Sequence, residues 1–199
     1  MSDLRVLVFA GSARAGSFNR QLLDVAAGML ASAGAQVTSV DLRALGLPIF
    51  DAEIEATGLP AGAVELRRLF AQADAVLIAT PEYNGFLPPL LVNAFAWLSR
   101  VPAGDGLPSG LEATASKVAG VLSASPGALG GLRSLNYLRQ FLQMAFGMLV
   151  VPQQFALSQA HKAFDAATGR LTDDKHQQAV RRVVQAVLRT AGALKGAAA

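Results

Sequence analysis

Five short apolar runs constrain this chain most: "RVLVFA" (5–10), "QVTSV" (36–40), "AVLIAT" (75–80), "KVAGVLSA" (117–124) and "MLVVP" (148–152). Most are dense in Val, Leu and Ile and show no polar alternation. That pattern marks strands covered on both faces, hence a parallel sheet. Helical periodicity fills the gaps. From Phe18, apolar residues recur at Leu22, Leu23, Ala26, Met29, Leu30 and Ala33, one helix face, and Gly34 ends it. Further helical segments fall near 62–72, 90–99, 131–146 and 173–191. The last is expected to open with Thr172 as cap and Asp173 and Asp174 in its first turn, and the ending "GALKGAAA" to fray. Strands alternating with helices predict a doubly wound α/β sandwich. With 199 residues and 52% hydrophobic content, one domain over 1–199 is expected.

Composition narrows the function classes. There is no Cys, which excludes disulfides, zinc–thiolate sites and cysteine nucleophiles. No apolar run approaches the ~20 residues of a membrane span, and the N-terminus is too soon interrupted for a signal peptide. No membrane partner is expected. The net charge of +3 is spread along the chain. Its densest groups, Arg67-Arg68 and Arg181-Arg182, lie in helical patterns and read as solvated faces. No basic stripe with interleaved aromatics is present, so no nucleic-acid partner is expected. His161 and His176 stand without a carboxylate cluster, so no metal site is expected.

In open parallel sheets, ligands sit at the carboxyl edge of the strands. The loops 11–19, 81–89 and 123–133 leave that edge after strands one, three and four. In the flavodoxin-like order 2-1-3-4-5 those strands are neighbours, and the three loops meet. The first, "GSARAGSFN", lacks the middle glycine of a dinucleotide fingerprint, although Asp41 stands where a ribose-binding acid would. It also lacks the lysine and magnesium-binding hydroxyl of a P-loop. What remains is a hydroxyl-rich loop at a helix N-terminus, with Ser12, Ser17 and Asn19 as donors and Arg14 as a charge. That set suits a terminal monophosphate; an ordinary strand-to-helix turn capped by Ser17 is the alternative. Around Pro81 to Gly85, Tyr83 and Asn84 offer stacking area and hydrogen bonds. The small residues of "SASPGALGGLR" let a flat ligand approach the backbone. A flat heteroaromatic with a phosphate tail, such as FMN, fits all three loops.

Here the sequence resembles the NADPH-dependent FMN reductase family, the flavodoxin-like group that includes bacterial chromate and quinone reductases. The motif "GSxRxGSFN" stands as "GSARAGSFN", "PEYN" as Pro81 to Asn84, "LxNAxxWLSR" as Leu91 to Arg100 and "SxxxxGGxR" as Ser125 to Arg133. The resemblance implies non-covalent FMN, reduction by NADPH or NADH, and hydride passage to quinones or similar small acceptors, chromate and azo compounds among them. It implies Ser12, Arg14, Ser17, Phe18 and Asn19 around the FMN phosphate. It implies Pro81, Glu82, Tyr83, Asn84 and Gly85 along the ring and ribityl chain, with Ser125 opposite. It further implies a homodimer or homotetramer in the cytoplasm. Four positions depart from the family pattern: Gly85 and Phe86 after the motif, Val92 in place of a Lys, and Asn136 where some relatives have Tyr.

No side-chain acid or base is demanded, because a flavin carries the hydride and the protein positions it. Two other classes stay open: a flavodoxin-type electron carrier and a non-enzymatic flavin-binding module. A carrier usually bears an acidic face, whereas this chain is basic. The connection 43–60 is long for a compact domain and is expected to lie over the exposed side of the flavin. Phe95, Trp97, Phe141, Met144 and Phe146 exceed what one buried face needs and suggest self-association.

Overall fold

A computed structural model describes residues 4–197. Five parallel strands, β1 (Arg5–Ala10), β2 (Gln36–Val40), β3 (Ala75–Thr80), β4 (Val118–Ala124) and β5 (Leu149–Leu157), form one sheet in the order β2-β1-β3-β4-β5. That is the flavodoxin-like order expected above. The two central strands, β3 and β4, are buried at every position, which explains their continuous apolar runs. Edge strand β2 is largely exposed and correspondingly polar.

Helices α1 (Phe18–Ser32) and α7 (Asp174–Ala197) cover one face. The other carries α3 (Ala61–Gln72), α4 (Pro89–Arg100) and α6 (Leu132–Phe146). Two short helices were not foreseen, α2 (Ala52–Thr57) and α5 (Gly110–Thr114). Each is too short for a periodic signal, yet each has a local cap, Asp51 and Ser109.

Several expectations need correcting. Strand β5 does not stop at Pro152; it runs to Leu157. The register slips between Ala119 and Val121, so Gly120 opposes extra residues of β5. An edge strand with a bulge accommodates a residue that has no N–H. The cap of α7 is Asp173, whose Oδ1 accepts the Lys175 N–H at 2.7 Å, while the Thr172 hydroxyl turns to the Ala163 carbonyl at 3.3 Å. Of the ending expected to fray, residues 192–197 continue α7, the Lys195 ammonium reaching Asp74 at 2.9 Å, and residues 198–199 lie outside the described residues.

Arg67 is not a solvated residue. It is 3% exposed, and its Nη1 donates to the carbonyls of Pro102 and Gly104, each at 3.0 Å. Its neighbour Arg68 does lie on the outer face and pairs with Glu65 one turn back. The aromatic surplus is also mostly core. Phe95 meets the rings of Phe9, Phe70, Phe141 and Phe146 at 4.7–6.2 Å, and Trp97 is fully buried. Of the five residues singled out for association, Met144 alone stands fully outside, at 79% exposure.

Candidate active site

The carboxyl edge of β1, β3 and β4 carries the three loops, and each is fastened to the next. The Gly11 N–H donates to the Ala79 carbonyl at 2.8 Å, extending the β1–β3 ladder by one residue. A Cβ on Gly11 would stand 2.9 Å from Cγ of Pro88, so the first two loops touch only because this residue has no side chain. Between loops one and three, the Asn19 carboxamide takes both backbone groups of Ala124. Its Nδ2 donates to the carbonyl at 2.9 Å and its Oδ1 accepts the N–H at 2.9 Å. Between loops two and three, the Pro81 carbonyl accepts two buried hydroxyls, Thr80 at 3.0 Å and Ser134 at 2.9 Å.

The first loop is a turn that closes onto a helix start. The Ser17 N–H donates to the Arg14 carbonyl at 3.1 Å, with Gly16 at φ +67°. Ser17 is buried and caps α1 by accepting the Arg20 N–H at 3.5 Å. The first-turn amides of Phe18 and Asn19 have no carbonyl of their own helix to donate to. Ser12, on the same loop, is only 6% exposed. The exposed Arg14 guanidinium lies 5.4 Å from the Phe18 ring centre and donates to the Gly16 carbonyl at 3.4 Å, with no carboxylate within ion-pair distance among the described residues. Phe18 is braced from the far end of the chain by Phe164, ring parallel to ring at 6.5 Å.

The second loop folds as a miniature hairpin. Tyr83 and Phe86 exchange N–H···O bonds of 3.0 and 2.9 Å, and Asn84 and Gly85 between them have φ +52° and +78°. Two successive left-handed residues define the type I′ turn, for which Asn-Gly is the favoured pair. Asn84 and Gly85 are thus required by the backbone whatever the turn holds. Tyr83 and Phe86 project into solvent from its ends.

Glu82 turns inward. Its Oε1 accepts Nε of Arg133 at 2.6 Å and pairs with Nη2 as well, while its Oε2 is buried without a partner. Arg133 occupies the first turn of α6, where the helix dipole disfavours a cation. The Glu82 carboxylate offsets that and holds the guanidinium charged, raising the Arg133 pKa. In the third loop, Ser125 Oγ accepts the Gly127 N–H at 3.2 Å, and Ser123 Oγ donates to the Gly130 carbonyl at 2.7 Å.

The arrangement thus brings Ser12, Arg14, Ser17, Phe18, Asn19, Pro81, Glu82, Tyr83, Asn84, Gly85 and Ser125 to the carboxyl edge of one sheet, with two changes of emphasis. The side chain of Asn19 is spent on Ala124 and leaves only its amide for a ligand. Glu82 is an ion-pair partner. Asp41, considered as a ribose acid, is paired with Arg20 at 3.1 Å. Unassigned in the sequence were the roles of Arg133, Ser134 and Phe164. Each acts across 50 or more residues on a partner in a different loop, a relation no local pattern carries. The 43–60 connection is fastened to α4. Asn93 of α4 accepts the Phe50 N–H at 2.7 Å and donates to the Pro48 carbonyl at 2.8 Å, which Trp97 Nε1 also reaches at 2.7 Å.

These residues fit FMN: the exposed Arg14 guanidinium, the Ser12 hydroxyl and the free first-turn amides of α1 suit its phosphate. The comparisons agree. The model of the NADPH-dependent FMN reductase family matches residues 4–162. An NAD(P)H-dependent FMN reductase of Pseudomonas aeruginosa is 34% identical over 185 residues, 93% of this chain and 94% of that one. A quinone reductase of Escherichia coli is 33% identical over 171 residues, covering 85% and 86%. Among solved structures, a flavoenzyme NAD(P)H:acceptor oxidoreductase from Paracoccus denitrificans superposes with a TM-score of 0.75 at 27% identity, covering 94% of this chain and 98% of that one. The chain belongs to the NADPH-dependent FMN reductase family.

Proposed function

We propose that this protein is a single FMN-binding domain that passes reducing equivalents from NADPH or NADH to quinones or similar small acceptors. The observation that carries the reading is the exposed Arg14 guanidinium in the loop before α1, which has no carboxylate within ion-pair distance among the described residues, together with the buried Ser12 of the same loop. When bound, FMN supplies the redox chemistry, taking a hydride from the nicotinamide and delivering it to the acceptor. The chain's own residues bind and orient. Ser12, Arg14, Ser17, and the amides of Phe18 and Asn19 hold the phosphate. Pro81, Glu82, Tyr83, Asn84, Gly85 and Ser125 line the ribityl chain and ring. The Glu82–Arg133 pair and the Asn19–Ala124 bonds keep the loops at fixed separation, so that the site is formed before the cofactor arrives.

Association into a homodimer or homotetramer belongs to the same reading. Phe86 and Tyr137 present half-exposed rings 4.8 Å apart, next to Met144. A cytoplasmic setting, supplied with nicotinamide nucleotides, is the matching expectation. Among the described residues no helix is long and apolar enough to cross a membrane.

Rapid mixing of FMN-loaded protein with NADPH tests the activity. Loss of the flavin's visible absorbance, recovered on adding a benzoquinone, is the expected result. A flavin that stays oxidised would reduce the protein to a carrier or a binding module.

A further inference from the structure

We propose that Arg43, just beyond β2, is a second guanidinium of the phosphate cradle, so that a phosphate monoester dianion is shared by Arg14 and Arg43. The inference rests on the reading of residues 12–19 as a phosphate loop. Its starting observation is a contact across 30 residues: Arg43 Nη1 donates to the Ala13 carbonyl at 3.4 Å, inside that loop. The backbone is set for this reach. Asp41 Oδ1 accepts the Arg43 N–H at 3.0 Å, an Asx turn that fixes how the chain leaves β2.

Charge accounting gives the inference its force. Three guanidiniums surround the loop. That of Arg20 is neutralised by Asp41 at 3.1 Å. Those of Arg14 and Arg43 have no carboxylate within ion-pair distance among the described residues; each touches one loop carbonyl, at 3.4 Å in both cases. Such contacts sit at the long limit of hydrogen bonding and leave most of the five N–H groups of each fork unused. One guanidinium of this loop and one reaching it from beyond β2 are thus both in contact with the segment that leads into the positive end of α1. A phosphate monoester carries about −1.5 to −2 at neutral pH. It matches the two unopposed cations in charge, and the planar fork suits two oxygens at once.

Apoprotein titrated with FMN and with riboflavin, followed by flavin fluorescence at two salt concentrations, tests this. Arg43→Gln keeps an N–H donor and removes the charge; Arg43→Lys keeps the charge. Arg43→Gln is expected to weaken FMN about 5- to 20-fold, leave riboflavin unchanged and flatten the salt dependence. Arg43→Lys recovers part of the loss. The inference is overturned if Arg43→Gln keeps the wild-type ratio of FMN to riboflavin affinity, or if both flavins weaken equally, which would mean the residue only shapes the loop. When Arg14→Ala loses the preference for FMN and Arg43→Gln keeps it, Arg43 is excluded and the phosphate loop stands. A wild-type protein that binds both flavins alike removes the loop reading itself.

Discussion

The Asn19 carboxamide binds the backbone of Ala124 from both sides, donating to its carbonyl and accepting its N–H, each at 2.9 Å. The pair joins the first turn of α1 to the carboxyl end of β4, and both partners are buried. Asn19→Ala leaves two backbone groups without partners, at about 1–3 kcal/mol for each one not rescued by water. Urea titration is expected to show a lower midpoint at unchanged slope. FMN and riboflavin should weaken together, because the change moves a loop and removes no phosphate donor. A loss confined to FMN would contradict this role.

Arg14 has the opposite signature. Charge-assisted bonds to phosphate contribute roughly 1.5–3 kcal/mol each, so Arg14→Ala is expected to weaken FMN by about 10- to 100-fold. Riboflavin affinity should hardly change. Stability should also hold, since the exposed side chain gives up only its stacking on Phe18 and a long bond to Gly16. Titrations of the two flavins with wild type and variant decide the matter.

The clamp of α4 on the 43–60 connection gives a third outcome. Asn93 makes two of the three hydrogen bonds that hold Pro48 and Phe50, Trp97 Nε1 makes the third, and the Phe50 ring packs on Trp97 at 5.1 Å. Asn93→Ala is expected to cost about 1–3 kcal/mol and to open residues 43–60 to limited proteolysis. FMN affinity should stay at the wild-type value, while KM for a quinone rises. Identical digestion patterns would show that the Trp97 bond to Pro48 suffices alone.

At the opposite end of the sheet, Asp74 gathers Arg5 and Lys195. Its Oδ2 accepts the Arg5 N–H at 2.8 Å and the Lys195 ammonium at 2.9 Å. Burial pushes this carboxyl up, but the Arg5 N–H and the two cations together outweigh it, and the pKa lies below the usual range. A carboxyl lowered on folding adds stability that is complete above its unfolded value of about 3.9 and is lost as pH falls through the folded one. Asp74→Asn should therefore cost about 1 kcal/mol at neutral pH, discounted for the partly exposed cations. The gap from wild type should close below roughly pH 3.9. Thermal melts across that range check it; a gap that persists in acid would point to the loss of hydrogen bonds instead. Lys117 donates to the Ala73 carbonyl nearby, and burial holds its pKa below the ordinary lysine value.

The division between sequence and tertiary structure follows the range of the interactions. The five strands and the helices α1, α3, α4, α6 and α7 were evident in the sequence, though not the full length of β5, because a buried strand and an amphipathic helix each impose a repeat within a few residues. Gly34 past α1 and Pro89 at the start of α4 are equally local signals. Fastening of the site was not local. Asn19 reads as a phosphate donor in its motif, yet its side chain is consumed by a residue 105 positions away. Arg67 reads as a solvated charge, yet it folds inward because the carbonyls of Pro102 and Gly104, on a loop 35 residues later, need a donor. Met144 and Phe146 look alike in the sequence, but only the packing of α6 decides that one faces solvent and the other the Phe95 ring. Local periodicity thus determined the strands and the long helices along the chain. The partner of each polar side chain, and with it which charges remain free to meet a ligand, was decided only when the sheet brought distant loops to one edge.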